Sequence, residues 1–316
     1  MKCRICLSIS AMDRWFEKLV LELEKYAEVD VVGLEIQSLK GYDIFIGKKL
    51  KKEELETADK LRIIFAYKTG VDDFPLEELK KRKIYLVNSH IDSDYIAEYA
   101  FGLSMSLLNR ITESDRKLRK GIWYDEENPY WKSIFDVKVG LLGYGHIGKQ
   151  LQKILERNCI ETYTIDRGKD YDGVKLVRNL EELCKKTDLI IVSLPKTPQT
   201  DGLFNRDTFK LMEGKYLVNV GRSNCIDQEA LYEVLKEEWL GGAAIDTWDQ
   251  KPKSKTEILV PSKYPLDELD NIILSPHQAM RVSDGHKRYV MDILAKVYDC
   301  INSGILTDVV DLEKGY

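Results

Sequence analysis

The sequence predicts an α/β protein made of two doubly wound parallel-sheet domains, and three observations predict it. Short β-branched runs alternate with amphipathic helical stretches along most of the 316 residues, the pattern of βαβ units. The runs fall into two series, separated by a polar and aromatic passage, GIWYDEENPYWKS. A glycine-rich turn joins a buried strand to an amphipathic helix at the head of the second series. With 44% hydrophobic residues the chain can bury a sizeable core, and its length suits one large or two modest domains.

In the first series the expected strands are residues 4–9, 29–34, 44–46, 61–66 and 84–87. Residues 13–26 form a helix between the first two, with Trp15, Phe16, Leu19, Val20 and Leu23 on one stripe. One long helix is expected over 94–119, followed by the aromatic passage as a connector. The second series has strands at 137–142, 161–165, 189–192, 216–220, 242–245 and 272–274. Gly145, Asn179, Asn205 and Asp227 head its helices. Residues 249–270 carry three prolines and no periodicity, so a long loop is expected there. A last amphipathic helix runs over 283–301.

Charge excludes some functions. The chain has 48 Lys and Arg against 53 Asp and Glu, a net charge of −5, with the signs interspersed. A nucleic-acid binder would want a basic face instead. No stretch reaches the roughly 18 to 20 apolar residues of a membrane span. The opening MKCRICLSISAMDRWFEK runs straight into a charged amphipathic stretch without a small-residue cleavage site, so a soluble cytoplasmic protein is expected. Cys3 and Cys6 form a C-x-x-C, yet on a strand residues three apart face opposite ways, so they read as buried small hydrophobes. The four histidines are scattered, and no metal is expected.

The strongest local signal is KVGLLGYGHIGKQLQKIL. Gly143 allows the tight turn, Gly145 lets backbone approach a pyrophosphate, and Gly148 lets helix pack on strand. The helix start, with His146 and Ile147, offers unpaired N–H groups and partial positive charge. Asp166 ends the next strand, 18 residues past Gly148, where a carboxylate accepts from adenosine ribose hydroxyls and disfavours a 2′-phosphate. This favours NAD. Arg167 beside it fits either stacking on adenine or accommodating a 2′-phosphate.

Two further residues stand where open α/β sheets place ligands. Arg222 ends the strand of YLVNVGR, and His277 follows that of NIILSPH behind Pro276. A guanidinium can hold a carboxylate and polarise a carbonyl, and an imidazole can move protons near neutrality. Either residue alone also fits a structural role.

From roughly residue 59 to 286 the chain resembles the D-isomer-specific 2-hydroxyacid dehydrogenase family. The resemblance lies in YKTGVDDF, DYIAEYAFGLSMSLL, LLGYGHIGKQ, LPKTPQTDGLFN, YLVNVGRSNCIDQEAL, GGAAIDTWD and NIILSPHQA, in the family's order. It implies hydride transfer between NAD(H) and a small 2-keto or 2-hydroxy acid of D configuration. Arg222 would then bind the substrate carboxylate and carbonyl, and His277 would be the acid/base. Backbone N–H groups around Lys68, Thr69 and Gly70 would grip the carboxylate. Leu194, Pro195, Thr200, Val220 and Gly221 would line the nicotinamide-ribose side, with Asp246 accepting from the carboxamide. The family's two Rossmann-like or flavodoxin-like domains place the active site in a cleft. Here that implies a substrate domain of 1–93 plus 282–316 and an NAD-binding domain of 94–281. A homodimer is implied too, with the aromatic connector near its interface. A formate-type dehydrogenase and an NAD(H)-binding regulator are the family's alternatives.

One position departs from the pattern. The family places a glutamate five residues beyond the aspartate of the A-x-D segment, where it pairs with the histidine and raises its pKa. Here the position holds Lys251, followed by Pro252. Three readings follow: another carboxylate of the loop (Asp249, Glu257 or Asp267) reaches His277; the histidine works unpaired; or the protein regulates more than it catalyses. Met280 and Arg281 also stand where the family has small residues, which favours a narrower or more cationic pocket, and Arg281 points to a dicarboxylate or phosphorylated substrate.

Overall fold

In the computed structural model, residues 3–9, 13–123, 130–168, 171–254, 256–283 and 285–316 are described. Tyr124 of the aromatic connector therefore lies outside the described residues, as does Asp284 near the start of the last helix. The chain forms two compact units, Met1–Asp92 with Val282–Tyr316, and Ser93–Arg281.

The first unit holds β1 (Cys3–Ser8), α1 (Arg14–Leu23), β2 (Ala27–Val32), β3 (Ile44–Gly47), α2 (Lys52–Glu56), β4 (Ile63–Ala66), α3 (Leu76–Arg82) and β5 (Tyr85–Val87). Its five strands pair in parallel in the order β2-β1-β3-β4-β5, a doubly wound sheet with its switch point at β1 and β3. The inner strands β3 and β4 read as continuous apolar runs because both faces are covered, and β3 is buried throughout. Cys3 and Cys6 lie on β1, and burial pushes their thiols up, to about 11 and about 12. Asp13 starts α1 by accepting from the backbone N–H groups of Trp15 and Phe16.

The second unit holds α4 (Ser93–Leu108), α5 (Ile111–Arg119), β6 (Val139–Leu142), α6 (His146–Arg157), β7 (Thr162–Ile165), β8 (Lys175–Val177), α7 (Leu180–Lys186), β9 (Leu189–Val192), α8 (Arg206–Lys210), β10 (Tyr216–Asn219), α9 (Gln228–Lys236), β11 (Gly242–Ile245) and β12 (Ile272–Leu274). Its seven parallel strands run β12-β11-β10-β9-β6-β7-β8, the dinucleotide-fold order extended by one strand. Two cores, one centred on Phe204, Phe209 and Leu217 and one on Leu103, Leu141 and Leu151, pack around the strands. The last helix, α10 (Gly285–Ser303), belongs to the first unit.

Gly145, Asn179, Asn205 and Asp227 are the N-caps of α6, α7, α8 and α9, as the sequence indicates. Two expectations fail. The helix expected over 94–119 is broken: Arg110 adopts the left-handed conformation, φ 53°, and its guanidinium turns forward to Glu113, starting α5 anew. The strand β8 was not expected. It has three residues, two exposed, and pairs only with β7, too short an edge to leave an alternating pattern.

The return of α10 is anchored by a buried charge. Lys296, 6% exposed, donates to the Asn88 carbonyl and pairs with Asp292 and Asp308, each at 2.8 Å. All three ammonium donors find partners, which is the condition for tolerating such burial.

Candidate active site

In the second unit the residues singled out by sequence collect at the C-terminal edge of one sheet. Gly143, at φ +113°, turns the chain out of β6; a Cβ there would come within 2.8 Å of Ser193 Oγ. A Cβ on Gly148 would sit 2.1 Å from the Gly143 carbonyl oxygen, so no larger residue lets α6 start where it does. At Gly145 a Cβ would meet nothing within 4 Å. That open side faces a helix start with no side-chain cap and no acidic residue in its first turn, where His146 and Ile147 begin the helix. The positive potential of such a helix start suits a pyrophosphate, so the residues present fit a dinucleotide.

Asp166 follows β7, exposed, its Oδ1 accepting from the Gly168 N–H at 2.8 Å; Arg167 beside it is also exposed. Tyr144 of the glycine loop and Tyr171 pack ring to ring at 5.3 Å, a contact that the spacing of the motif does not reveal. Leu194 and Pro195 follow β9, beside the glycine loop at the switch point between β6 and β9. Thr200 closes their turn by donating to the Pro195 carbonyl at 2.8 Å.

Beyond β10, Val220 and Gly221 are buried and Arg222 is half-buried. Asn219, fully buried, holds this turn: its Oδ1 accepts from Gly221 N–H at 3.0 Å, and its amide donates to the Arg222 carbonyl at 3.1 Å. Sequence reasoning passed over Asn219, although an amide at the end of a buried strand is a recognisable signal.

His277 lies three residues past β12, half-buried, at φ 55°. A branched or aromatic side chain in the left-handed region is uncommon and needs support. Asp246, 1% exposed, gives it: Ser275 Oγ and the backbone N–H groups of Gln278 (2.8 Å) and Ala279 (3.2 Å) all donate to its carboxylate. The Trp248 indole donates to the Ser275 carbonyl at 2.8 Å, and Tyr99 of α4 shares a hydrogen bond with the Ser275 hydroxyl. Asp246, expected to accept from a carboxamide, thus already serves the segment that carries His277.

The field at His277 is cationic. Burial, foremost, and then Lys251 hold its pKa below the ordinary histidine value; Asp246 opposes them, and Arg222 and Arg281 add to the depression. Asp249 instead accepts from the Gln228 amide, and Glu257 from the Lys253 backbone. Met280 is half-buried against the core and Arg281 is exposed.

The first unit has its own C-terminal edge. Lys68, Thr69 and Gly70 follow β4. The Lys68 ammonium pairs with Asp73, the Lys68 carbonyl accepts from Ser89 N–H, and the Thr69 hydroxyl lies 2.8 Å from the Ser89 carbonyl and 3.0 Å from Asp92. Those bonds fix a turn with half-buried backbone.

A doubly wound unit with a glycine-rich pyrophosphate turn, an acid after its second strand, and an arginine and a histidine at neighbouring strand ends defines a nicotinamide-dependent oxidoreductase. Residues 101–279 match the model of the "D-isomer specific 2-hydroxyacid dehydrogenase, NAD binding domain" family, and the chain belongs to that family. It is 31% identical over 250 residues to a glyoxylate reductase of Thermofilum pendens, covering 76% of this chain and 72% of that one. Among solved structures, the PH0520 protein of Pyrococcus horikoshii OT3 superposes with a TM-score of 0.83 at 27% identity, over 98% of this chain and 96% of that one. A D-lactate dehydrogenase of Aquifex aeolicus, complexed with NAD and lactic acid, superposes with a TM-score of 0.79 at 20% identity, over 94% and 95% of the two chains. The protein is an NAD-dependent enzyme of hydride transfer on 2-keto and 2-hydroxy acids.

Proposed function

We propose that the enzyme reduces a small 2-keto acid to the D-2-hydroxy acid, with Arg222 holding the carboxylate and carbonyl and His277 exchanging the proton with the carbonyl oxygen. The observation that carries this reading is the support of His277: a histidine in the left-handed region, braced by three hydrogen bonds to buried Asp246 in its own segment. Backbone N–H groups at Lys68, Thr69 and Gly70 would take the second side of the substrate carboxylate. NAD(H), when bound, supplies or accepts the hydride at the carbonyl carbon. The glycine loop, Asp166 and Arg167 would hold the adenosine and pyrophosphate, and Leu194, Pro195, Thr200, Val220 and Gly221 the nicotinamide side.

The direction of the histidine shift assigns roles by pH. A depressed pKa leaves His277 mostly neutral at neutral pH, ready to accept a proton in oxidation. Reduction needs the imidazolium, so its rate falls as pH rises through the lowered pKa. NADH oxidation with glyoxylate and other 2-keto acids tests the reading: wild type turns over, and Arg222→Ala loses about a hundredfold or more in kcat/KM. Tight NADH binding without turnover of any keto acid, unchanged in Arg222→Ala, would instead favour a regulator.

The same reading takes the enzyme as a cytoplasmic homodimer. Ile111 and Leu118 of α5, and Trp123, Tyr130, Trp131 and Phe135 on either side of residues 124–129, are large, apolar and exposed. A mass of two chains in analytical ultracentrifugation is expected, against 36.5 kDa for one. Among the described residues no helix is long and apolar enough to cross a membrane.

A further inference from the structure

His277 stands among more positive charge than one carboxylate substrate needs. β10, β11 and β12 are parallel hydrogen-bonded neighbours, with Asn219 beside Ile245 and Ile245 beside Leu274. Their C-terminal ends therefore open at one edge of the sheet. Arg222 lies three residues past the first of these positions, Lys251 six past the second, and His277 and Arg281 three and seven past the third. One guanidinium suffices for a carboxylate and its neighbouring carbonyl. Lys251 and Arg281 are left over. Both are exposed, and their side chains make no ion pair or hydrogen bond among the described residues.

The unit offers little to balance them. Asp246 is spent on Ser275, Gln278 and Ala279; Asp249 is turned to Gln228, and Glu257 to the Lys253 backbone. The largest charge effects on His277 come from Lys251 in the loop after β11, Arg222 after β10 and Arg281 after β12, with Asp246 opposing them.

Resting on the oxidoreductase reading above, we propose that the substrate is a 2-keto or 2-hydroxy acid with a second anionic group, a carboxylate or a phosphate, held by Lys251 and Arg281, and that this group adds negative charge beside His277 to that of Asp246. The free enzyme then keeps its imidazole neutral. Binding of a dianion offsets Lys251 and Arg281, and His277 holds its proton more tightly. In reduction the hydride adds to the carbonyl carbon, the carbonyl π pair takes the His277 proton to form the hydroxyl, and neutral imidazole remains. A monoanion leaves the two cations unbalanced, so its reduction stops at lower pH. Proton donation is thereby tied to the correct substrate.

The first unit carries a cation that serves as a control. Lys48 follows β3, 5.1 Å from the Tyr67 ring, its pKa lowered by partial desolvation there and by Lys68; its side chain too makes no ion pair or hydrogen bond among the described residues.

The test is NADH oxidation by the full chain with glyoxylate, oxaloacetate, 2-oxoglutarate and 3-phosphohydroxypyruvate across pH, in wild type and in Lys251→Gln, Arg281→Gln and Lys48→Gln. The expected result is a kcat/KM for one dianion above that for glyoxylate by about tenfold or more. That ratio falls in Lys251→Gln and Arg281→Gln and persists in Lys48→Gln. In wild type, kcat for the dianion holds to higher pH than kcat for glyoxylate. A ratio taken within one variant is insensitive to how much of it folds. Whether a dicarboxylate or the phosphorylated acid wins identifies the second anion. Dianions no better than glyoxylate overturn the proposal, as does a preference lost only in Lys48→Gln. If no keto acid is turned over, the activity itself is wrong, and calorimetry with NAD present then decides. D-malate binding more tightly than D-lactate, weakened in Lys251→Gln, supports the anion site, and equal affinities overturn it.

Discussion

His277 shows how much of a residue's chemistry is set by what its neighbours are already doing. Asp246 would be a natural counter-ion, but its two oxygens are engaged by one hydroxyl and two backbone N–H groups, so it positions the segment while its charge is outweighed by burial and three cations. Asp166 is the opposite case, an exposed carboxylate that accepts from the Gly168 N–H of its own turn. Replacing it, as Asp166→Ser, removes the charge proposed to repel a 2′-phosphate. The ratio of kcat/KM for NADH over NADPH is expected to fall by about tenfold or more, and an unchanged ratio would place the discrimination elsewhere.

At the scale of elements, the glycine loop was readable because two of its glycines answer hard steric demands: Gly143 a positive φ, Gly148 a close approach of backbone to backbone. Three helix starts were readable for a similar reason, since the side chains of Asn179, Asn205 and Asp227 satisfy N–H groups that nothing else reaches. The break between α4 and α5 was not readable. It rests on one arginine in the left-handed region, stabilised by an ion pair to Glu113. Nor was the anchor of α10, because a lysine in an amphipathic helix reads as solvated until tertiary contacts bury it. Lys296→Met should destabilise the chain by about 2–4 kcal/mol, measured as a lower urea midpoint, because it leaves Asp292, Asp308 and the Asn88 carbonyl without their cation. No change in midpoint would mean that water replaces the ammonium at little cost.

For the whole molecule, sequence alone carried the architecture of two parallel sheets, and the candidate residues it singled out in the second unit lie at the C-terminal edge of one sheet. It could not assign what stands beside His277, because the long loop after β11 has no periodicity to fix its register. The structure brings Lys251 to bear on the histidine, against the opposing Asp246 carboxylate. The central claim is therefore an acid/base histidine working in a cationic field, and the pH dependence of glyoxylate reduction tests it most directly. Wild type should lose kcat/KM for reduction at lower pH than a histidine of ordinary pKa allows, because only the imidazolium donates and its pKa is depressed. Lys251→Glu should move that loss to higher pH, since a carboxylate in place of the ammonium favours the charged ring. A profile identical in wild type and Lys251→Glu would contradict the account.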